Sequence, residues 1–537
     1  MVIRDVIDAG AGQAPGRATP AGTPEQDTLA RVWARVLGVD EIGLDDDFFV
    51  LGGDSLMAIK AIVEAEKHGI PIGLTDLFER PTIRQLVAGG GPARPAAHSG
   101  PAASGLLSPD DLDRLPAQVE RAYPASMLQE GLIFEGIAQD ESLYHDVISR
   151  RIMLSYDESA MRRALDMLAD RHESLRTSIN LSDYSAVLQL VARSATIPLR
   201  STDSTGQHAA QPLRSDLAYA SEPFDVEHGP LLRVAVTVLS DDAFQITYGF
   251  HHAIMDGWSD TVFITELIDS YAALRSGRQP EPAGSRPDMA EFVRLEREAV
   301  DSPVSREYWT SRTRDLPAVA EPEQRSSARH RVSVSVAADR WRQVTDFAAA
   351  QRVPVKSVLL AAHLAARHAR DGAAVPVTGL VCNGRVEEAG GDEMIGLFLN
   401  VVPIAVAVCR DGGTFVRRVR QAEQDLFPHR RFPYAEIKRM NGRHLYDATF
   451  NYVHFRLEQR LHTSGVMPHG SREIHDKVSF PLIIDAVQNP DGTGLRLDFS
   501  ADPARWPSDE LAALAELHRT TLERLVTGEP VAGADHG

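Results

Sequence analysis

A stretch of small residues divides this chain into a short part and a long part. Residues 89–104 read GGGPARPAAHSGPAAS, and apart from one arginine and one histidine every residue is Gly, Pro, Ala or Ser. Such a segment has no large apolar side chains with which to build a core. We therefore predict a flexible linker, at most about 55 Å long when fully extended, between two units that fold separately.

The composition is typical of soluble globular proteins. Of the 537 residues, 43% are hydrophobic and 24% are charged, which are ordinary values for folded domains. The length predicts three to four folding units at about 150 residues each. No stretch approaches the ~20 apolar residues of a membrane span, and the N-terminus lacks the apolar core of a signal peptide. We expect residues 1–22 to form a disordered tail.

Charge and cysteine content argue against several classes of function. Lys and Arg number 56 and Asp and Glu number 75, a formal net charge of −19. That sign disfavours binding to nucleic acid and to anionic membranes. Two cysteines, Cys382 and Cys409, are too few for a disulfide framework or a thiolate zinc site. We expect a cytoplasmic, monomeric protein with two unpaired thiols and no metal.

Capping signals predict a small helical bundle over residues 23–88. Thr23 can cap a first helix, and Gly38 supplies its stop. A second amphipathic helix is predicted over residues 55–67, and two shorter helices follow. Residues 24–84 contain 12 acidic and 6 basic side chains. This acidic surface would suit docking on basic patches of partner enzymes, or it is simply a solvated face.

Beyond the linker, helical and strand patterns mix, which predicts an α+β body. Two segments look like strands and three like helices: 231–239 and 244–250, then 161–168, 262–274 and 355–370. A second break, SGRQPEPAGSRP at residues 276–287, divides this body. We predict an N-terminal lobe over 105–280 and a C-terminal lobe over 281–530.

The clearest chemical signal follows the second predicted strand, which runs straight into HHAIMDG at residues 251–257. A histidine at a strand end is suited to general base catalysis, because its pKa lies near operating pH and its other nitrogen can be fixed by the backbone. His252 is the candidate. Asp256 could act directly, but its spacing favours pairing with an arginine, and Gly257 would let a backbone amide approach an oxyanion. The alternatives are an ordinary hydrogen-bonded histidine pair and, less favoured, a metal site.

A second candidate site lies in the short unit. The sequence DDDFFVLGGDSL at residues 45–56 puts Ser55 at the start of a predicted helix, after a glycine turn. Free amides and the positive end of the helix dipole would stabilise a phosphoester there. The competing interpretation is that Asp54 or Ser55 only caps the helix.

Both sites resemble motifs of the nonribosomal peptide synthetases. HHAIMDG, followed by Trp-Ser, resembles the HHxxxDG motif of their condensation domains. Four more segments resemble that family's motifs in the family's order: YPASMLQEG at 123–131, RHESLRT at 171–177, IGLFLNVVP at 395–403 and HRRFPYAEI at 429–437. DxFFxLGGDSL within a helical bundle resembles the peptidyl carrier domains of the same synthetases.

The resemblance to condensation domains implies a fold and roles for the motif residues. It implies two chloramphenicol-acetyltransferase-like lobes in a V around a central tunnel, with His252 at the tunnel's centre beside His251. It also implies a structural salt bridge from Asp256 to Arg176 of the RHExLRT motif, with that motif's first arginine as the weaker choice. Gly257 would be the oxyanion donor.

The resemblance to carrier domains implies that Ser55 holds a covalent 4′-phosphopantetheine, attached by a phosphopantetheinyl transferase. The arm would hold a donor aminoacyl or peptidyl thioester activated by an upstream adenylation domain, and a downstream carrier would bring the aminoacyl acceptor. The expected reaction is peptide-bond formation by a fragment of a larger synthetase. Whether His252 removes a proton or orients the amine stays open.

Four other hypotheses compete with this interpretation. GDSL at residues 53–56, with the Asp-x-x-His pair at 225–228, would fit a GDSL hydrolase, but those enzymes place the serine after a parallel strand. An epimerisation domain shares the fold and the HHxxxDG motif, but it usually reads Val-Ser-Trp where this chain has Trp258 directly after the glycine. A free coenzyme A acyltransferase and a degenerate recruitment domain are disfavoured by the intact motif and the fused carrier.

Overall fold

The computed structural model describes most of the chain. The described residues are 22–53, 55–89, 105–139, 142–205, 210–282, 284, 286–319, 329–454, 458–468, 470–475, 480–489 and 492–531. The predicted tail up to residue 21 and the predicted linker from residue 90 onward lie outside them. Within these residues, no helix is long and apolar enough to cross a membrane.

The short unit is the predicted four-helix bundle, built from α1 (Pro24–Leu37), α2 (Ser55–Lys67), α3 (Leu74–Glu79) and α4 (Ile83–Ala88). The Thr23 hydroxyl accepts a hydrogen bond from the Gln26 N–H, and Gly38 ends α1 in the left-handed region at φ 71°. The core packs around Trp33 and Phe48, whose rings meet edge to face at 4.9 Å. The caps and the apolar stripe therefore specify this unit locally.

The long unit mixes helices and strands. Its first half contains α5 (Pro109–Asp113), β1 (Val119–Pro124), α6 (Met127–Gln139), β2 (His145–Ile152), α7 (Glu158–Arg171), β3 (Thr177–Asn180), β4 (Leu188–Ala192), β5 (Leu199–Asp203), α8 (Ala210–Ala220), β6 (Leu232–Ser240), β7 (Ala243–His251) and α9 (Gly257–Arg275). The strands and helices predicted at 161–168, 231–239, 244–250 and 262–274 all form, each within five residues of its predicted ends.

The second half follows the predicted break. It contains α10 (Met289–Asp301), α11 (Pro303–Thr313), β8 (His330–Val336), α12 (Ala338–Gln351), α13 (Val355–Asp371), β9 (Val377–Asn383), β10 (Leu399–Ala405), α14 (Gly412–Leu426), α15 (Tyr434–Asn441), β11 (Ala448–His454), α16 (Gln459–Thr463), β12 (Glu473–His475), β13 (Leu482–Gln488), β14 (Leu495–Ala501) and α17 (Ser508–Thr527). The helix predicted at 355–370 is α13.

Three sheets organise the long unit. A five-stranded sheet has the order β12-β2-β7-β6-β5, a six-stranded sheet the order β10-β9-β11-β13-β14-β8, and a small sheet the order β1-β4-β3. Helices α7 and α9 pack on the five-stranded sheet, and α13, α14 and α17 pack with the six-stranded one. Each large sheet thus has its own apolar core, which agrees with a two-lobed α+β fold.

One segment crosses between the lobes, and it corrects the predicted boundary at residue 281. β12 pairs antiparallel with β2 of the first lobe, and Leu461 and Met467 are buried in the first lobe's core. The described parts of this segment, residues 458–468 and 470–475, therefore lie with the lobe built by the described residues of 105–280. A division by sequence position missed this return, because strand pairing is set by tertiary contacts rather than by chain order.

Candidate functional site

His252 stands where β7 ends and α9 is about to begin. Its N–H donates to the Tyr144 carbonyl at 2.7 Å, and its ring Nδ1 lies 2.7 Å from the Met255 carbonyl oxygen. A carbonyl only accepts, so Nδ1 carries the proton and Nε2 keeps its lone pair. The side chain is half-buried. The backbone therefore fixes the ring with a basic nitrogen available.

His251 differs from its neighbour in almost every respect. It is only 3% exposed, and its Nδ1 accepts the Ala253 N–H at 3.1 Å. Burial, with smaller contributions from His145 and His252, lowers the pKa of His251 to about 3. A neutral, buried ring that holds the backbone turn is suited to a structural role, not to proton transfer at neutral pH.

Asp256 joins the two lobes. Its Oδ1 accepts the Ser259 N–H at 2.8 Å, which caps α9, and also Nη2 of Arg385 at 2.9 Å. Its Oδ2 accepts the Phe398 N–H at 3.2 Å. Arg385 is 1% exposed, donates to the Met394 carbonyl at 2.6 Å and lies 4.3 Å from the Phe398 ring centroid. Both carboxylate oxygens of Asp256 thus already accept hydrogen bonds, and two of these bonds come from the C-terminal lobe.

The prediction that Asp256 pairs with Arg176 was wrong. Arg176 donates to the Ala169 and Ala192 carbonyls and forms an ion pair with Glu120 at 2.8 Å. It therefore fastens the end of α7 to the small sheet. The residue that sequence reasoning missed is Arg385, which lies 129 positions from Asp256. No local sequence signal identifies this partner, because the contact is set by the packing of the two lobes.

Gly257 begins α9, and the space beside it is open. A Cβ at this position would meet no atom within 4 Å. Neither packing nor a left-handed backbone requires glycine here, since Gly257 is absent from the positive-φ residues. Its N–H is among the first amides of the helix, which have no partner within the helix. The open side of this amide can therefore receive a ligand.

A cavity of about 790 Å³ lies between α6 and the C-terminal lobe. Its wall includes α6, Tyr144, β10 from Leu399 onward and α15. Tyr144 connects the cavity with His252, since its carbonyl accepts the His252 N–H and its hydroxyl donates to Glu135 at 2.6 Å. Tyr144 also adopts φ 61°, a costly conformation for an aromatic residue.

The other predicted motifs surround this centre. Gln129 donates to the Ala253 carbonyl at 2.8 Å, next to His252. Arg171 pairs with Glu266 of α9 at 3.1 Å. Asn400 donates to the Arg430 and Phe432 carbonyls at 2.8 Å each. These contacts hold α6, α9 and β10 around the HHxxxDG turn rather than adding chemistry of their own.

The carrier bundle packs against the C-terminal lobe through an aromatic contact. Phe78 stacks on Phe427, with ring centroids 3.6 Å apart and an interplanar angle of 15°. Arg420 is 8% exposed, and its guanidinium lies 5.0 Å from the Phe49 ring centroid. Gln424 donates to the Phe78 carbonyl at 3.0 Å. Burial raises the pKa of Asp47 on the carrier, and Arg420 opposes that rise.

A polar contact links the carrier to the start of α9. Lys60 on α2 forms an ion pair with Asp392 at 3.0 Å, and the Trp258 indole donates to the Asp392 carbonyl at 2.8 Å. Ser55 begins α2, five residues before Lys60. The side chain of Ser55 and residue Asp54 lie outside what the structure describes. None of these interface residues lines the 790 Å³ cavity.

The geometry does not favour a GDSL hydrolase. Ser55 follows the loop between two helices of the bundle rather than a parallel strand. His228 and Asp225 bond to each other at 2.8 Å, with 81% and 65% of their side chains exposed.

Among the described residues, no group of three or more His, Cys, Asp or Glu could hold a metal ion.

Two family models match the chain in the order of its two units. The phosphopantetheine attachment site matches residues 27–89, and the condensation domain matches residues 119–530. The first match confirms the expected cofactor type for the carrier unit.

Named relatives agree with these matches. The AMB antimetabolite synthetase AmbE of Pseudomonas aeruginosa is 33% identical over 97% of this chain and 25% of its own length. Surfactin synthase subunit 2 of Bacillus subtilis is 27% identical over 92% of this chain and 14% of its own length. The chain therefore spans a quarter or less of the length of these relatives.

Solved structures agree on the fold. The first condensation domain of the calcium-dependent antibiotic synthetase, in complex with a substrate analogue, has a TM-score of 0.64 at 20% identity and covers 78% of this chain and 99% of its own. The condensation domain of the Monacolin K polyketide synthase MokA has a TM-score of 0.66 at 17% identity, covering 77% and 100%. This chain therefore belongs to the condensation-domain family and has a phosphopantetheine-attachment unit fused ahead of that domain.

Proposed function

We propose that this chain forms a peptide bond between an aminoacyl or peptidyl group attached through Ser55 and the α-amine of an aminoacyl group on a second carrier. The observation that supports this best is the fixed tautomer of His252, whose basic Nε2 belongs to a half-buried ring at the end of β7. A basic nitrogen there can accept a hydrogen bond from an incoming amine.

Separate approaches for two substrates support the same reaction. The carrier contact through Lys60, Asp392 and Trp258 leads to the start of α9, while Tyr144, which lines the cavity, accepts the His252 backbone N–H. We propose that the donor enters on the carrier side and the acceptor through the cavity. Holding both reactants at one centre supplies much of the rate.

The residues at the start of α2 suit the cofactor. Ser55 is the first residue of a 13-residue helix, and the free amides of a helix N-terminus favour a phosphate group. When bound, phosphopantetheine supplies a thioester carbonyl on a mobile tether. The Gly257 N–H would donate to the carbonyl oxygen as charge develops on it, and Asp256 with Arg385 would hold that amide in position.

The proposal also includes the expected partners. A phosphopantetheinyl transferase would modify Ser55, an upstream adenylation domain would activate the donor, and a downstream carrier would present the acceptor. We propose that the chain acts in the cytoplasm as a monomer, which size-exclusion chromatography with light scattering would test.

The test uses the full chain. Ser55 is loaded with a donor pantetheine by a phosphopantetheinyl transferase, an aminoacyl carrier is added, and intact mass reports the amide. The proposal expects amide on the acceptor carrier from wild type and little from His252→Ala. Equal extension by both proteins would contradict the role of His252. Loading of Ser55→Ala would contradict the attachment site.

A further inference from the structure

The cavity that Tyr144 lines contains a carboxylate where an apolar side chain is expected. Glu296 lies on α10, where Met289, Phe292 and Val293 form a buried stripe at helical spacing. The next member of this stripe is expected at residue 296, and the glutamate found there is 7% exposed and lines the cavity. A carboxylate costs free energy in such a position, so its presence needs a chemical reason.

Charged groups of both signs share the surroundings of Glu296, and the same cavity is lined by Glu135, Asp447, Lys438 and Arg505. The Glu296 Oε1 accepts the Met127 N–H at 3.0 Å. The pKa of Glu296 is raised to about 7, chiefly by burial; the Met127 N–H and Arg297 oppose this rise, and Glu130 on α6 adds to it. Across the cavity, Lys438 of α15 lines the same space. A cationic ligand in this part of the cavity would therefore gain a charged partner.

Glu296 takes part in capping α6, because its Oε1 accepts the Met127 N–H, an amide that the Ser126–Gln129 pair does not bond. Ser126 and Gln129 already bond to each other at the start of that helix: the Ser126 N–H donates to Gln129 Oε1 at 2.8 Å, and the Gln129 N–H donates to Ser126 Oγ at 3.3 Å. The same Gln129 reaches the Ala253 carbonyl beside His252. The start of α6 therefore connects Glu296 with the HHxxxDG turn.

We infer, on the basis of the proposed function, that Glu296 binds the ammonium group of the acceptor in the cavity and accepts a proton from it. An ammonium has no lone pair and cannot attack a carbonyl. One N–H bond breaks, its electron pair stays on nitrogen, and the proton goes to the Glu296 carboxylate and then to solvent. An α-amino group titrates near 8, close enough to the carboxyl for efficient transfer.

The neutral amine then passes to His252. Its nitrogen attacks the thioester carbonyl, a C–N bond forms, the C–S bond breaks, and one remaining N–H proton leaves with the thiol. Glu296 and His252 thus act in sequence on the same nitrogen. The inference assigns the cavity a substrate class: acceptors with a free primary ammonium, in preference to acylated or hydroxyl analogues.

Binding to the unloaded full chain tests this without any chemistry. The probes are alanyl-aminopantetheine, in which an amide replaces the thioester and the amine is free, and its N-acetyl derivative. Isothermal calorimetry at pH 7.5 in two buffers of different ionisation enthalpy gives affinity and proton exchange. Wild type is expected to bind the free amine about tenfold more tightly and to exchange protons on binding.

The variant that isolates the charge is Glu296→Gln, which keeps an oxygen to accept the Met127 N–H. It is expected to lose the preference for the free amine. Glu298→Gln is the matched control on the same helix, because Glu298 is 59% exposed, and it should keep the preference. If Glu296→Gln does not fold, Glu296→Asp should retain part of the preference.

Two outcomes overturn the inference: no preference in wild type, or an unchanged preference in Glu296→Gln. Failure of the proposed function is a separate result. If amide forms on the acceptor carrier but amine binding is independent of Glu296, only the inference is wrong. If the preference depends on Glu296 but no amide forms, the proposed function is wrong while the ammonium site stands.

Discussion

The two halves of the HHxxxDG turn have opposite environments. His251 and Asp256 are buried at 3% and 1% exposure, and their polar atoms bond to the backbone, to Arg385 and to the C-terminal lobe. His252 is half-buried, with one ring nitrogen available, and Gly257 opens on empty space. A single seven-residue motif therefore contains a holding half, His251 and Asp256, and an accessible half, His252 and Gly257.

This difference shows that two residues of the same type in one motif can have different chemical roles. The two adjacent histidines are the same residue type, yet only His252 has a position from which it could touch an amine. Asp256 of the holding half bonds to Arg385 and to the Phe398 N–H just before β10, and β10 forms part of the cavity wall. Mutations in the holding half should therefore lower the stability of the protein, whereas mutations in the accessible half should lower the reaction rate.

The largest expected effect is on stability, from Asp256→Ala. It leaves the Arg385 guanidinium buried without its charge partner, which typically costs about 3–5 kcal/mol. Urea denaturation should show this loss together with loss of activity.

A double-mutant cycle identifies the partner of Asp256. Combining Asp256→Ala with Arg385→Ala should cost less than the sum of the single changes, and combining it with Arg176→Ala should be additive. Additivity with Arg385 would contradict the pairing seen in the structure.

Weakening the contact between the carrier and the C-terminal lobe should have a smaller effect on the transfer rate. This effect should depend on whether the donor is attached to the carrier. Phe427→Ala removes the ring that stacks on Phe78, and such aromatic pairs contribute about 0.5–1.5 kcal/mol. We expect single-turnover transfer from the Ser55-loaded chain to slow by roughly two- to tenfold. Transfer from a free acyl-pantetheine donor, which bypasses the carrier contact, should not change. Equal slowing with both donors would indicate damage to the condensation domain instead.

The holding half should also respond to acid. Burial lowers the pKa of His251 to about 3 in the folded protein, and an unfolded histidine titrates near 6.5. As pH falls below about 6.5 the unfolded state binds the proton first, so stability is complete above that pH and declines below it. Between pH 7.5 and 5.5, wild type should lose about 1 kcal/mol more than His251→Asn in urea titrations. Equal losses of unfolding free energy in wild type and His251→Asn would show that His251 does not cause the acid sensitivity.

Gly257→Ala should have the smallest effect on stability. A Cβ there meets nothing within 4 Å, and alanine suits a helix better than glycine, so the unfolding free energy should stay equal or rise by a few tenths of a kcal/mol. The rate should still fall if a substrate approaches this amide. An unchanged rate would contradict a role of the Gly257 amide in the reaction.

Local features of the fold could be predicted because their causes are local. Thr23 and Gly38 bound α1, and the alternating strand before His251 is β7. Arg385 could not be found this way, since its contact with Asp256 spans 129 positions. The return of residues 458–475 to the first lobe likewise depends on the pairing of β12 with β2.

The candidate site was predicted in part. The HHxxxDG turn, its fixed tautomer and the helix start at Ser55 follow from residue type and position. Glu296 was missed, although a glutamate in the apolar stripe of α10 was visible in the sequence as MAEFVRLE. The stripe indicates burial, but only the cavity reveals what the carboxylate faces.

The most direct test of this account measures rate and stability together for His252→Ala. The central claim is that His252 acts on the substrate while the rest of the turn holds the lobes. We predict a single-turnover amide formation rate about 10²- to 10⁴-fold below wild type, with an unfolding free energy within about 0.5 kcal/mol of wild type. A rate equal to wild type, or a rate loss matched by a loss of stability as large as that of Asp256→Ala, would contradict it.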